Sequence, residues 1–281
     1  MTIKIVTDST CDLPPSLVEQ YGITVIPLYI NFGDASYRDG IDLSRQEFYE
    51  RLPTSHVQPT TSVPGIGTFV EAYQTLAANG ADQIVSIHIA ARLSNTVNVA
   101  RLAAEATDSL PVTVMDSHQL TIGTGLQVLE AARLAQEGKS IADIVAAVQD
   151  MRPRLYTVAA LDTLTYLRRS GRLSSFQAIL GSLLNLKPLL WMHQNEIKMD
   201  KVRTQQRAMD WLVRLFADLG ELEQVVLVHT HATARLQSLW QQVKDLVPHI
   251  PSPLSVDVTP VLGAHLGPGV VGFTCLVAKG A

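Results

Sequence analysis

The chain has 281 residues, of which 47% are apolar and only 17% charged, and its formal net charge is −4. A chain of this length has room for two domains of ordinary size with extensive buried surface. It shows no basic patch with interleaved aromatics, which argues against a nucleic-acid binder, and no window of about 18 apolar residues free of charges and breakers, so no transmembrane segment is expected.

In chain order, residues 3–7 (IKIVT) read as a short strand running into the polar turn Asp8-Ser9-Thr10. With a strand so near the start, no signal peptide is expected. Cys11 and Cys275 are far apart and have no C-x-x-C or zinc spacing, so they read as free thiols of a cytoplasmic protein. Residues 23–32 read as one extended stretch. Ser44 with Glu47 forms a capping-box pattern that opens a helix to about Leu52, and the Ser62-to-Pro64 segment predicts another helix start. A strand over 83–89, a helix over 94–106 and a strand over 111–115 ending at Asp116-Ser117 follow. Helices are expected over about 119–137 and 141–151, the second capped by Ser140 with Asp143. Strands alternating with helices imply a parallel sheet with crossovers.

The Met151-Arg-Pro-Arg154 segment marks a boundary, which gives an N-terminal α/β domain over 1–152 and a C-terminal α/β domain with a mixed sheet over 153–281. The second part reads as a strand at 155–161, an apolar helix at 174–185 and a hairpin of 188–193 with 196–202 around Gln194-Asn195. A long amphipathic helix at 203–219 comes next, then strand 224–229, helix 232–245, strand 254–258 and a last strand at 270–278.

In open parallel sheets ligands bind beyond the carboxyl ends of the strands. Four polar groups fall where an extended segment meets a helix: Asp8-Ser9-Thr10, Thr60-Thr61-Ser62, Ser94-Asn95-Thr96 and Asp116-Ser117. Each alone is what a helix cap looks like. Together they predict an edge rich in hydroxyls and free N–H groups, which suits an anion. Arg168, Arg169 and Arg172 gather near Gly171 and can supply a guanidinium, or simply face solvent. Residues 265–269 (HLGPG) read as a sharp turn that holds His265 before the last strand.

Known catalytic motifs fail. Gly138-Lys139-Ser140 resembles the end of a phosphate loop, but the first glycine would fall on Arg133. Gly65-x-Gly67 and Gly123-x-Gly125 lack the third glycine of a dinucleotide site. There is no G-x-S-x-G or H-E-x-x-H, and His229-x-His231 has no evident third metal ligand.

The motifs taken in order resemble the DegV family. Thr7 to Pro14 (TDSTCDLP) looks like its opening motif, and Gln58 to Gly65 (QPTTSVPG) its second, which is quite specific. Leu93-Ser94-Asn95-Thr96, Asp116-Ser117, Leu164 to Leu173, Asn185 to Pro188 and His265 to Gly269 complete a set that spans nearly the whole chain. The resemblance implies a two-domain DegV-like α/β fold with an interdomain pocket for a long-chain fatty acid, built largely by the C-terminal domain. No other cofactor is implied. It implies a carrier that presents the acid to a separate fatty-acid kinase, which makes an acyl phosphate for phospholipid synthesis. Carried over by motif, Thr61 and Ser94, with Ser62 and Asn95, bind the carboxylate, while Arg172, His265 and Gly267 lie near the head group. The apolar run 176–192 is a candidate tunnel wall. The chain departs from the family at Ala90-Ala91 where serines are common, Asn95 where glycine is, Ser170 in place of glycine, and Ala264 in place of a hydroxyl residue; Asn95 would then supply an amide donor. Two other readings stand beside the carrier: a small-molecule phosphotransferase or hydrolase using His265 and Arg172, and a regulatory protein whose lipid is structural.

Overall fold

The computed structural model describes residues 1–172 and 186–280. The N-terminal region runs β1 (Ile3–Asp8), α1 (Pro15–Tyr21), β2 (Thr24–Ile26), β3 (Tyr29–Phe32), β4 (Ala35–Arg38), α2 (Arg45–Arg51) and β5 (Thr60–Ser62). It continues through α3 (Ile66–Ala78), β6 (Gln83–His88), α4 (Thr96–Glu105), β7 (Val112–Asp116), α5 (Ile122–Gln136) and α6 (Ile141–Met151). The C-terminal region holds β8 (Leu155–Ala160), α7 (Thr165–Arg169), β9 (Lys187–His193), β10 (Glu196–Val202), α8 (Gln205–Asp218) and β11 (Leu222–His229). It ends with α9 (Thr233–Val243), β12 (Leu254–Asp257), α10 (Pro260–Leu266) and β13 (Val271–Val277). The apolar helix expected over 174–185 lies outside the described residues.

These elements form an α/β fold with a parallel sheet in the N-terminal region, ordered β2-β1-β6-β7, and a mixed sheet in the C-terminal region, ordered β10-β9-β8-β13-β11-β12. In the mixed sheet only β11 and β12 run parallel. The two central strands, β1 and β6, are buried on both faces over most of their length, which is why they read as largely apolar runs. One face packs on α3 and α4 through Phe69, Tyr73, Ala100 and Ala103. The other face meets α5 and, across it, the inner face of the mixed sheet, in one core that joins Ile5, Val85 and Ile87 to Leu126, Leu155, Met192 and Val228. The outer face of the mixed sheet is covered by α8 and α9.

Helix α5 lies within this core, and ten of its residues are buried. The two glycines that fail as a dinucleotide motif have a packing role there. A Cβ on Gly125 would stand 2.4 Å from the Cys11 carbonyl oxygen, and one on Gly123 would stand 2.8 Å from Thr157 Oγ1. Both predicted capping boxes form: the Ser44 and Ser140 hydroxyls accept from the N–H groups of Glu47 and Asp143, whose carboxylates accept in return.

Three expectations are corrected. The stretch 23–32 is two strands rather than one. It breaks at Pro27, whose missing N–H cannot continue a ladder; β2 pairs with β1, while β3 joins β4 and β5 in a separate antiparallel sheet. Thr60–Ser62 is therefore a strand, with Thr61 opposite Ile30, and α3 starts only at Ile66 after the Gly65 cap. His265 does not sit on a turn. It belongs to the last turn of α10, which carries Pro at its start, and the turn proper is Gly267 to Gly269. The small sheet, α2 and α10 share a core of Ile30, Phe32, Phe48, Tyr49, Val261 and Ala264.

Candidate functional site

A cavity of about 450 Å³ opens where the small sheet, the β6–α4 loop, α7 and α10 converge. Its apolar wall includes Leu28, Ile89, Leu120, Leu167, Leu262 and Leu266, and its polar groups come from Thr61, Ser62, Ser94, Asn95, Arg172 and His265, with Thr10 and Arg92 beside them. Six of the seven sequence-predicted site residues thus line one cavity. The seventh, Gly267, is the residue after α10, at φ +76°. A Cβ there would stand 2.2 Å from the Tyr166 ring, so this position combines a left-handed backbone with no space for a side chain. Thr230 Oγ1 donates to the Gly267 carbonyl at 2.8 Å and holds the turn. Of the candidate tunnel wall, residues 176–185 lie outside the described residues; Leu189, Leu190 and Met192 are buried in the cores on either side of the mixed sheet and do not line the cavity.

Thr61 Oγ1 lies 2.9 Å from His265 Nε2. Burial, reinforced by the nearby positive charge of Arg172, lowers the His265 pKa to about 4, so the ring is neutral at physiological pH. Its Nδ1 is buried without a hydrogen-bond partner among the described residues. An unpaired lone pair there is less costly than an unpaired N–H, which favours the tautomer protonated on Nε2. His265 then donates to Thr61, and the Thr61 hydroxyl proton is free to point at a ligand. Gln58 Nε2 donates to the Ala264 carbonyl at 3.1 Å and ties this end of α10 to the segment before β5.

Ser94 Oγ pairs with Thr96 Oγ1 at 2.7 Å at the start of α4. The Asp116-Ser117 group does not reach the cavity. Asp116 instead accepts from the N–H of Ala91 at 3.2 Å, bracing the loop that does, while Ser117 pairs with Thr124 at 2.9 Å. Of the first polar group, Thr10 lines the cavity and Asp8 is the buried anchor below it.

Asp8 ends a fully buried chain of polar groups. Tyr73 Oη lies 2.9 Å from Ser86 Oγ, which lies 2.7 Å from His88 Nε2, and His88 Nδ1 lies 2.9 Å from Asp8. A carboxylate only accepts, so His88 donates to Asp8 from Nδ1. Burial raises the Asp8 pKa, but hydrogen bonds from His88, Thr10 and the Ile89 N–H outweigh it, and the net shift is downward. An Asp-His-Ser order suggests nucleophilic catalysis, but Ser86 is wholly enclosed. Its role is to fix the floor under Thr10 and Ile89.

A second buried network escaped sequence reasoning. Asp12 accepts from Arg45 at 3.0 Å, from Thr121 Oγ1 at 2.5 Å and from the Thr259 N–H at 2.8 Å, while Asp39 accepts from Thr259 Oγ1. Burial raises Asp12 to about 7 and Asp39 to about 6. These carboxylates anchor the entrance of α10, the helix that carries His265. The pair His229 and His231 sits at the end of β11, where His229 Nδ1 accepts from the Ala232 N–H at 3.2 Å. Among the described residues no group of His, Cys, Asp or Glu is arranged to hold a metal ion, and no helix is long and apolar enough to cross a membrane.

The chain matches, over residues 2–278, the family model described as "Uncharacterised protein, DegV family". A DegV domain-containing protein of Deinococcus radiodurans is 36% identical over 277 residues, which covers 97% of each chain. A solved structure described as the fatty acid binding of a DegV family protein from Thermus thermophilus superposes with a TM-score of 0.88 at 32% identity, over 99% of this chain and 100% of that one. DegV of Bacillus subtilis, described as a fatty acid binding protein, also gives 0.88 at 32% identity, over 98% and 99%.

Proposed function

Because the chain belongs to the DegV family, we propose that it binds one long-chain fatty acid in the cavity between the small sheet and α10 and presents the carboxylate to a separate fatty-acid kinase. The observation that carries this reading is the Thr61 hydroxyl, held by a neutral His265 and facing a largely apolar cavity. Fatty acid binding is also what the relatives from Thermus thermophilus and Bacillus subtilis are described as doing.

The chemistry supports the assignment. Burying about 15 methylenes gains up to roughly 12 kcal/mol at about 0.8 kcal/mol each, part of which association entropy offsets. The carboxylate must then find donors, because an unpaired buried charge is costly. Thr61, Ser94, Ser62 and Asn95 offer neutral donors that satisfy the oxygens without locking them into a tight ion pair, which leaves one oxygen free to attack a phosphoryl group. Arg172 supplies positive charge for the product. The competing reading, a hydrolase or phosphotransferase with His265 as base, asks a group with a pKa of about 4 to take a proton at neutral pH, which it does poorly. The protein is on this reading a carrier, and the division of labour puts nucleotide chemistry on the kinase.

Native mass spectrometry of protein purified from a bacterial host tests the first part. The mass should exceed that of the apo chain by one fatty acid, and delipidated protein should take up added palmitate or oleate. Apo mass with no uptake would refute the reading. For the second part, a fatty-acid kinase with ATP should form acyl phosphate only when the loaded protein is present, and the lone protein should not turn over ATP.

A further inference from the structure

Asn95, Asn98 and Arg101 lie three residues apart and so share one face of α4. Arg101 Nη1 donates to Asn98 Oδ1 at 3.3 Å, and Asn98 Nδ2 donates to Asn95 Oδ1 at 2.8 Å. An arginine side chain has only donors, so Asn98 must turn its oxygen to Arg101 and its nitrogen away. That nitrogen can only donate, so Asn95 must turn its oxygen to Asn98. The Asn95 Nδ2 group is left over, on a residue that lines the cavity. The polarity of the relay thus follows from the chemistry of Arg101.

A second observation agrees. An asparagine at a helix start ordinarily turns its oxygen onto a backbone N–H of the first turn. Asn95 is the N-cap of α4 but, at φ −76° and ψ 5° rather than extended, makes no such bond, so capping does not compete for its oxygen. The Ser94 hydroxyl takes the Thr96 N–H instead, at 3.4 Å. The Asn95 oxygen is engaged by the side chain of Asn98, which lies on the exposed side of the helix.

From this we infer that Asn98 and Arg101 are positioning residues for the head-group site: they hold the Asn95 amide with its N–H groups toward the ligand. The inference rests on the fatty-acid reading and extends it to side chains that do not line the cavity. A carboxylate or acyl phosphate has acceptor oxygens only, so it is favoured by this orientation and opposed by the reverse one. A fatty alcohol, whose hydroxyl both donates and accepts, is indifferent to it.

Asn98→Asp tests the relay. The carboxylate at position 98 still accepts from Arg101, but it draws the Asn95 nitrogen onto itself and turns the Asn95 oxygen to the cavity. Titration of delipidated protein with palmitate should show about a tenfold loss of affinity in N98D, the size of one hydrogen bond to a charged group. Binding of hexadecanol should change less than about twofold, well within the scatter of exposed polar contacts. Because N98D also adds negative charge, the same substitution is made in an N95G background. There the loss for palmitate should shrink to less than about twofold, since what remains is the effect of an exposed charge paired with Arg101. Circular dichroism melts of the four proteins establish that α4 is intact. Palmitate affinity unchanged in N98D, or an equal loss with and without Asn95, would overturn the relay while leaving the fatty-acid reading in place. Failure of the unsubstituted protein to bind palmitate would overturn both.

Discussion

Replacing Thr61 by valine isolates the contact on which the head-group site turns. The side chains have nearly the same shape, and valine suits the strand conformation of β5, where residue 61 pairs with Ile30. What is lost is one hydroxyl, 2.9 Å from His265 Nε2. The apo protein loses one neutral hydrogen bond, about 1 kcal/mol. The complex loses in addition the donor to a carboxylate, about 1.5–3 kcal/mol, which corresponds to roughly 10- to 100-fold in Kd. Isothermal titration of delipidated protein with palmitate reads the affinity directly, and the rise in Tm with saturating palmitate should shrink in step. Thr61→Ser keeps the hydroxyl and should bind within about threefold of the unsubstituted protein. If T61V binds palmitate within about twofold of the unsubstituted protein, a difference too small for a lost charge-assisted hydrogen bond, the hydroxyl does not hold the carboxylate.

Other perturbations follow from the buried networks. Asp39, raised to about 6, and Asp12, raised to about 7, hold their protons more tightly folded than unfolded, where 3.8 is the ordinary value; the stability they contribute is present at low pH and is lost as pH rises through those values. Asp39→Asn should therefore flatten the fall in urea midpoint between about pH 4 and pH 7, and an unchanged slope would count against Asp39 as a source of it. His88→Ala removes the partner of a fully buried carboxylate and should cost about 3–5 kcal/mol in urea unfolding, whereas Tyr73→Phe, at the far end of the same chain, should cost about 1 kcal/mol; equal midpoints would refute the buried carboxylate as the costly end of the chain. Gly125→Ala drives a methyl to 2.4 Å from the Cys11 carbonyl oxygen and should cost at least about 1–3 kcal/mol, while Gly67→Ala, on α3 with open space around it, should be neutral or slightly stabilising in the same thermal melt.

Local patterns carried much of the architecture. Alternating β-branched runs and amphipathic stretches marked the parallel sheet, and Ser44 with Glu47 and Ser140 with Asp143 marked two helix starts. Gln194 and Asn195 marked the hairpin, and both adopt positive φ, at 47° and 61°. What escaped was short or non-local. Strands β3, β4 and β5 have only three or four residues each, too few for a period to show, and Ser62-Val63-Pro64 imitates a helix cap. Thr259-Pro260 is a visible start signal for α10, but the small apolar residues after it look equally like a strand or turn. Asp12 meets Arg45, Thr121 and Thr259 across 33, 109 and 247 residues of sequence, separations that leave no local trace. The cavity residues were legible only as an ordered set of motifs, since each polar pair alone satisfies the needs of a helix end.

The position of α5 has a further consequence. One side of this helix is the floor of the parallel sheet and the other is the ceiling of the mixed sheet, so neither sheet has a dry inner face without it. Loosening either sheet wets the shared layer and withdraws support from the other. Heat should therefore dismantle both in a single calorimetric peak, with the van't Hoff enthalpy matching the measured one.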